Sequence, residues 1–338
     1  MKVLRLFGPG DLRIDEEPQP EPAVGEVLVR VKAVGICGSD LHWYNQAGIG
    51  DARLDHPLVL GHEFAGVIAS GDRAGQAVAV DPCIPCRSCE YCLEGSPNLC
   101  LNQRFAGHSQ QDGALVEMLA WPEHLLHILP PSLSAAEGAA LEPLGVALYA
   151  VDQAGLRPGC TVGVMGCGPV GLLIVRLARL VGAIAVLATE RLPHRLEAAA
   201  AFGATAVFPV GERGDEASAG VLAASGGRGL DVVFEAAGEA AAVETAMAVV
   251  RPGGRVILVG IPDDDRTSFS ASMVRRKGLT IIVSRRMKHT YPRAIALVEQ
   301  GLVDLKPLLT RTFPLERSVE AFEAAARRDG LKITIVSN

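Results

Sequence analysis

Five of the chain's eight cysteines fall within the twenty residues DPCIPCRSCEYCLEGSPNLC, Asp81 to Cys100. Secreted disulfide scaffolds are short and carry cysteines throughout, whereas this chain runs to 338 residues, so metal ligation is the chemistry suggested by the clustering. Cys86, Cys89, Cys92 and Cys100 form the pattern C-x2-C-x2-C-x7-C. Four thiolates so spaced can enclose one Zn2+ tetrahedrally with no open position, the arrangement of a structural site. Cys83 continues the same three-residue step, so Cys83, Cys86, Cys89 and Cys92 without Cys100 satisfy the spacing equally.

A second set of donors is Cys37 in GICGSDLHWY with His62 and Glu63 in GHEFAG. One thiolate, one imidazole and one carboxylate leave a fourth position open, as a catalytic zinc requires. Taken alone, His62 reads as a buried, hydrogen-bonded histidine. Neighbours on an extended strand also point to opposite faces, so His62 and Glu63 can share a metal only if the chain turns, which Gly61 permits. A third constellation is VGVMGCGPVG, which places Gly166, Gly168 and Gly171 as G-x-G-x-x-G between a strand and a helix. Gly166 allows the tight turn, Gly168 lets a pyrophosphate approach the backbone, and Gly171 allows close helix packing; Val170 joins them as an expected cofactor contact. Glu190 follows nineteen residues past Gly171, where an acid accepts ribose hydroxyls and repels a 2′-phosphate, which favours NAD over NADP. Arg191 and Arg195 nearby could meet a phosphate instead.

These groups need elements to hold them. From Thr161 to about Ser284, short runs that are apolar at nearly every position alternate with Ala-rich stretches of helical length, the pattern of a parallel sheet covered by helices on both faces. The first 150 or so residues instead give short strand-like segments such as EVLVRVKAVGIC, GVIAS and AVAVD, separated by Gly and Pro without intervening helices. After Ser284, helix-like segments at PRAIALVEQG and LERSVEAFEAAARR precede a strand-like KITIVS, read as a return to the first domain. The expected organisation is therefore an α/β protein in which a doubly wound domain, 152–286, is inserted into a β-rich domain formed by 1–151 and 287–338, with the cysteine lobe at 81–104.

Composition narrows the class. The net charge of −6 offers no basic footprint for nucleic acid. No signal-like segment opens the chain and no apolar run is long enough to span a bilayer, so a cytoplasmic protein with reduced or metal-bound thiols is expected.

Together these motifs resemble the zinc-dependent medium-chain dehydrogenase/reductase superfamily, and within it the polyol (sorbitol) dehydrogenase group. GICGSDLHWY, VLGHEFAG, the cysteine lobe, LEPLGVALYAV, GCGPVG, VGIP and RRMKHTYPRAI occur in the family's order. The resemblance implies a GroES-like catalytic domain carrying an inserted Rossmann domain. It implies two zinc ions per subunit, one structural on Cys86, Cys89, Cys92 and Cys100, and one catalytic on Cys37, His62 and Glu63 with Glu142 binding it directly or through water. Ser39 and His42 match the proton-relay positions, and Asp40 the partner of the metal-bound histidine. Arg286 matches a substrate-hydroxyl contact, Trp43, Phe105 and His108 line the substrate pocket, Arg195 contacts the cofactor, and Val259 lies where the chain passes the nicotinamide. Family members commonly form dimers or tetramers, so a homo-oligomer is expected.

The chemistry implied is hydride transfer from a secondary alcohol of a sorbitol- or xylitol-like polyol to NAD+, giving a ketose. Cys37 thiolate and Glu63 would cancel the two charges of the zinc, and an ionised Glu142 would leave the site negative. A threonine, butanediol or sugar dehydrogenase would share every motif. A non-enzymatic zinc-ribbon protein that senses redox state would use the lobe and the dinucleotide domain but leave the open metal set unexplained. Trp43 and Met287 stand where sorbitol-type enzymes tend to carry tyrosines, and the loop in VIASGDRAGQAVAV is shorter than usual, which bears on substrate identity rather than on the reaction.

Overall fold

A computed structural model describes residues 1–211 and 215–337. They form two compact units, Met1–Glu142 with Lys288–Asn338, and Pro143–Met287. The expected break after residue 151 and the division after Glu142 both fall within the helix Leu141–Ala154, the latter leaving its residues from Pro143 onward in the second unit.

The first unit is built on a seven-stranded sheet. Its main path runs Leu126–Ile128, Ala77–Val80, Glu63–Ile68, Glu26–Gly35, Lys332–Val336 and Leu309–Pro314, and Met118–Pro122 pairs with Glu26–Gly35 off that path. Glu26–Gly35, EVLVRVKAVG, is buried at Val27, Leu28, Val29, Val31, Ala33 and Val34, so it can occupy the middle of the layer. Trp121 packs edge-on against Phe64, with ring centroids 5.9 Å apart, and its indole N–H donates to the Asp81 carbonyl at 3.0 Å, so this large core side chain leaves no polar atom unpaired.

The order of this sheet decides what surrounds Cys37. Glu26–Gly35 runs directly into Cys37, with Glu63–Ile68 on one side and the final strand Lys332–Val336 on the other. Gly35 stands opposite both Glu63 and Thr334. The last strand of the chain thus borders the strand that delivers the first metal donor.

The second unit is a sheet of six parallel strands in the order Ala206–Pro209, Ala185–Glu190, Thr161–Met165, Leu230–Glu235, Val250–Leu258 and Thr280–Val283. The apolar runs at Val162, Val164, Val233 and Phe234 are wholly buried, as strands covered on both faces must be. The order reverses at Thr161–Met165, the first strand, which is where open α/β sheets bind ligands beyond their carboxyl ends. Among the described residues no helix is long and apolar enough to cross a membrane.

Close pairing of Glu26–Gly35 with Glu63–Ile68 depends on Gly66, where an added Cβ would strike the backbone carbonyl of Arg30. Gly66→Ala should therefore destabilise the protein by about 1–3 kcal/mol, read as a fall of several degrees in thermal midpoint; an unchanged midpoint would show that the strands can part at no cost.

Candidate active site and metal centres

Cys37 sits at the N-cap of the helix Gly38–Gln46 with extended backbone, φ −93° and ψ 161°. Asp40, one turn into that helix and 1% exposed, accepts the Cys37 N–H at 2.8 Å and the Gly61 N–H at 3.1 Å. Its Oδ1 also lies 3.4 Å from Nδ1 of His62. One buried carboxylate therefore fixes the two loops that carry Cys37 and His62 and engages one imidazole nitrogen, which directs the other toward a metal. Gly61 takes φ +93°, a left-handed turn that resolves the difficulty of using adjacent residues. It brings one donor atom each from Cys37, His62 and Glu63 within 4.8 Å of one another. Sulfur, imidazole nitrogen and carboxylate oxygen, with Cys37 half-buried, His62 and Glu63 buried and the imidazole held by Asp40, fit a zinc with an open position.

Glu142 is buried but lies outside this three-donor group. Burial pushes its carboxyl up to about 7, with His62 and Lys332 pulling down and Glu63 and Asp81 pushing up. Ser39 Oγ is 3.5 Å from Nε2 of His62, and His42 follows one turn later on the same helix. Phe105 packs against the His62 ring with centroids 5.2 Å apart. His108 meets Trp43 edge-on at 5.6 Å and shares a 2.9 Å hydrogen bond between its Nδ1 and Ser109 Oγ. Trp43 is 1% exposed and belongs to the hydrophobic core, so it backs His108 rather than presenting surface of its own.

Two residues that the sequence reading passed over complete the environment. Lys332 is 3% exposed, and its ammonium lies 2.7 Å from each carboxylate oxygen of Glu63 and 3.1 Å from the Ile36 carbonyl. Burial alone would lower its pKa, but the charges of Glu63 and Cys37 outweigh it and the net shift is upward. The charge count made from sequence therefore omits a positive group: Cys37, Glu63 and Lys332 together carry −1. Gly35 makes room for Glu63, since a Cβ there would strike its carboxylate. The only signal of Lys332 in the sequence is a cation heading an otherwise apolar strand, KITIV.

In the lobe, Cys86, Cys89, Cys92 and Cys100 converge within the same 4.8 Å limit. Cys83 does not join them; its Sγ donates to Gln103 Oε1 at 3.3 Å. The Cys86 sulfur accepts from the Cys89 N–H at 3.4 Å, and the Cys100 sulfur accepts from the Cys86 N–H at 3.2 Å. Hydrogen bonds from the backbone of Ser88 and Cys89 pull Cys86 down to about 6, while burial and the neighbouring sulfurs push Cys92 up to about 12. Four thiolates this close repel one another, and a bound cation would relieve that repulsion.

In the second unit the glycine-rich turn joins Thr161–Met165 to the helix Pro169–Leu180, with Gly168 as N-cap. Gly166 takes φ +98°, and a Cβ there would lie 2.8 Å from Ala237. At Gly171 a Cβ would strike the Gly166 carbonyl. Gly168 has φ −66°; what its lack of a side chain leaves is open space, with Nη1 of Arg195 3.7 Å from where a Cβ would stand. Val170 is half-buried in the first turn of the helix. Glu190 ends its strand, 8% exposed, accepting the Cys167 N–H at 2.9 Å on one oxygen and the Arg191 and Leu192 N–H groups at 2.8 and 3.1 Å on the other. Arg191 pairs with Glu239 at 2.8 Å. Val259 follows the strand Val250–Leu258 and donates to the Glu235 carbonyl at 2.8 Å. Arg286 lies half-buried in the loop after Thr280–Val283 with φ +56°.

Comparison with known proteins agrees over the whole chain. Residues 23–131 match the alcohol dehydrogenase GroES-like domain, and residues 169–300 match the zinc-binding dehydrogenase domain. Sorbitol dehydrogenase of Bacillus subtilis is 36% identical over 346 aligned residues, covering 100% of this chain and 98% of that protein. D-xylulose reductase A of Aspergillus niger is 37% identical, covering 96% of this chain and 93% of that protein. The solved structure of alcohol dehydrogenase TADH from Thermus sp. ATN1 superposes with a TM-score of 0.89 at 32% identity, covering 100% of both chains.

The raised carboxyl of Glu142 has a consequence for the metal-free protein. Between its ordinary 4.5 and its buried value of about 7, the folded state holds a proton that the unfolded chain has lost, so this group's contribution to stability is full below pH 4.5 and is lost as pH rises through 7. Chemical denaturation of metal-stripped protein at pH 5 and pH 7.5 should show that fall, and Glu142→Gln should flatten it; equal slopes in both proteins would contradict the assignment.

Proposed function

The chain belongs to the zinc-dependent medium-chain dehydrogenase/reductase superfamily, in its polyol dehydrogenase-like group, and from that premise we propose that it oxidises a secondary alcohol of a sorbitol- or xylitol-like polyol to a ketose with NAD+. It is an enzyme of zinc and a nicotinamide cofactor. The observation that carries the reading is the convergence of Cys37, His62 and Glu63 within 4.8 Å.

Bound to these three residues, zinc supplies the Lewis acidity that eases loss of a hydroxyl proton, and a nicotinamide supplies the hydride acceptor. The chain's own groups do the rest. Asp40 holds the imidazole of His62 in one orientation. Ser39, 3.5 Å from that imidazole, and His42 on the next turn form the route by which the hydroxyl proton leaves. Glu142, a buried carboxyl, is suited to hold a hydroxyl or a water beside the metal. Phe105 and His108, with Trp43 behind, form the apolar and polar walls against which the polyol carbon chain would rest, and the family resemblance gives Arg286 the role of donor to a further hydroxyl.

The backbone N–H groups at the start of Pro169–Leu180 and the space above Gly168 suit a pyrophosphate. Glu190, with Val259 and Arg195 as further contacts, supports NAD over NADP, since its carboxylate is already fixed in place by three backbone N–H groups and would repel a 2′-phosphate. One zinc in the cysteine lobe, a second at Cys37, a homo-oligomeric state and a cytoplasmic location complete the proposal. A threonine, butanediol or sugar dehydrogenase activity is the alternative within the same chemistry, and a panel of polyols, amino alcohols and sugars separates them by kcat/KM.

Cys37→Ser should lower NADH production by about 10²-fold or more, as expected when a metal-held reaction centre loses a ligand, while metal analysis still finds the lobe zinc; full activity in this variant would remove the basis of the reading. Arg286→Ala should raise KM for a polyol far more than for a simple secondary alcohol, and an equal rise for both would deny it a role in polyol recognition.

A further inference from the structure

We propose that Lys332 is a positioning residue of the catalytic metal site, fixing the carboxylate of Glu63 beside Cys37 and His62 while its positive charge weakens the hold on the zinc. The inference rests on reading Cys37, His62 and Glu63 as that zinc site. A lysine ammonium has three donors, and all three have acceptors here: both oxygens of Glu63 at 2.7 Å and the Ile36 carbonyl at 3.1 Å. The ammonium is thereby tied to the backbone at the residue preceding Cys37, and the carboxylate is tied to the ammonium. With 3% and 1% side-chain exposure, neither partner can exchange the other for water.

A merely structural role explains this pair poorly. Two charges taken out of water regain little net stability compared with apolar residues of the same volume, and the position lies in a strand whose other members are Ile333, Thr334, Ile335 and Val336. What distinguishes the site is that Glu63 also faces a thiol and an imidazole within 4.8 Å. An ionised carboxylate has about four lone-pair sites, so it can accept from Lys332 on one side and present the remainder to a metal on the other. The ammonium then stands one carboxylate away from the cation. In surroundings of low effective dielectric, like charges at that range repel strongly. The metal is held less tightly than Cys37, His62 and Glu63 alone would hold it, and it keeps more of its charge for the substrate oxygen.

The test compares zinc-loaded wild-type protein with Lys332→Met, which keeps the length of the side chain and removes the charge, and with Lys332→Arg, which keeps the charge. Zinc is withdrawn at fixed pH by competition with a chromophoric chelator, and Cys37→Ser identifies which step of the release belongs to the catalytic site. Lys332→Met should hold that zinc at least about tenfold more tightly, and Lys332→Arg should return the dissociation constant to near the wild-type value. A looser zinc in Lys332→Met would show that the lysine acts only by holding the carboxylate or the fold, and would overturn the claim that its charge weakens the hold on the metal. If Lys332→Met holds zinc no more tightly while the Cys37-dependent step persists in the wild type, the inference fails and the zinc reading stands. If the wild type has no Cys37-dependent zinc, both fail. Should Lys332→Met be insoluble, a crystal structure of the zinc-loaded wild type decides: Nζ within hydrogen-bonding distance of Glu63 supports the proposal, and Nζ withdrawn from it overturns the proposal.

Discussion

The ion pair between Glu63 and Lys332 joins residues 269 positions apart in the buried interior. Removing one partner of such a pair leaves an uncompensated buried charge and is strongly destabilising, whereas the intact pair is close to neutral for stability. The first unit must therefore be completed by the end of the chain before the metal donors have their final surroundings. Glu26–Gly35 mediates this, lying between Glu63–Ile68 and Lys332–Val336 and ending in Gly35, the one residue type that leaves space for the carboxylate. Sheet order, a backbone property, here determines the electrostatics of a reaction centre.

The two candidate metal centres differ in how they are assembled. The lobe is local: Cys86, Cys89, Cys92 and Cys100 lie close in sequence, and backbone N–H groups of the same segment point at their sulfurs. A closed four-thiolate site of this kind needs little from the rest of the protein. The open centre is non-local. Cys37 comes from a helix N-terminus, His62 and Glu63 from a strand entry, and Asp40 ties the two loops together through the Cys37 and Gly61 amides. Such a site can leave one position open because the surrounding fold, rather than a fourth ligand, holds its geometry.

The nucleotide unit uses the same logic with backbone in place of metal. Gly166 and Gly171 are needed where side chains would collide with Ala237 and with the Gly166 carbonyl, and the helix Pro169–Leu180 then exposes its first N–H groups. Glu190 does two things at once, since its oxygens take N–H groups from the glycine-rich turn and from its own loop. The acid that bears on cofactor choice is also what fixes the turn on which the phosphates would lie.

Much of this was legible in the residues themselves. The doubly wound α/β unit followed from apolar runs alternating with Ala-rich helices, because burial on both faces of a parallel strand forbids polar positions. The lobe and the glycine-rich turn were legible because short spacing sets which side chains the backbone can bring together. Spacing alone left open whether Cys100 or Cys83 completes the four-sulfur set, the resemblance giving Cys100 as the structure has it, and neither Trp43 standing behind His108 as core nor Lys332 reaching Glu63 was legible. The first depends on the path of the seven residues between Cys92 and Cys100, the second on which face of Gly38–Gln46 turns inward, and the third on strand order. The sequence by itself determined the donor types and the local turns, since these depend on side-chain chemistry and on a few dihedral angles. Only the tertiary structure decided the charge around the open metal site, because Coulomb energy depends on distance through space, and no spacing along the chain states how near residue 332 comes to residue 63.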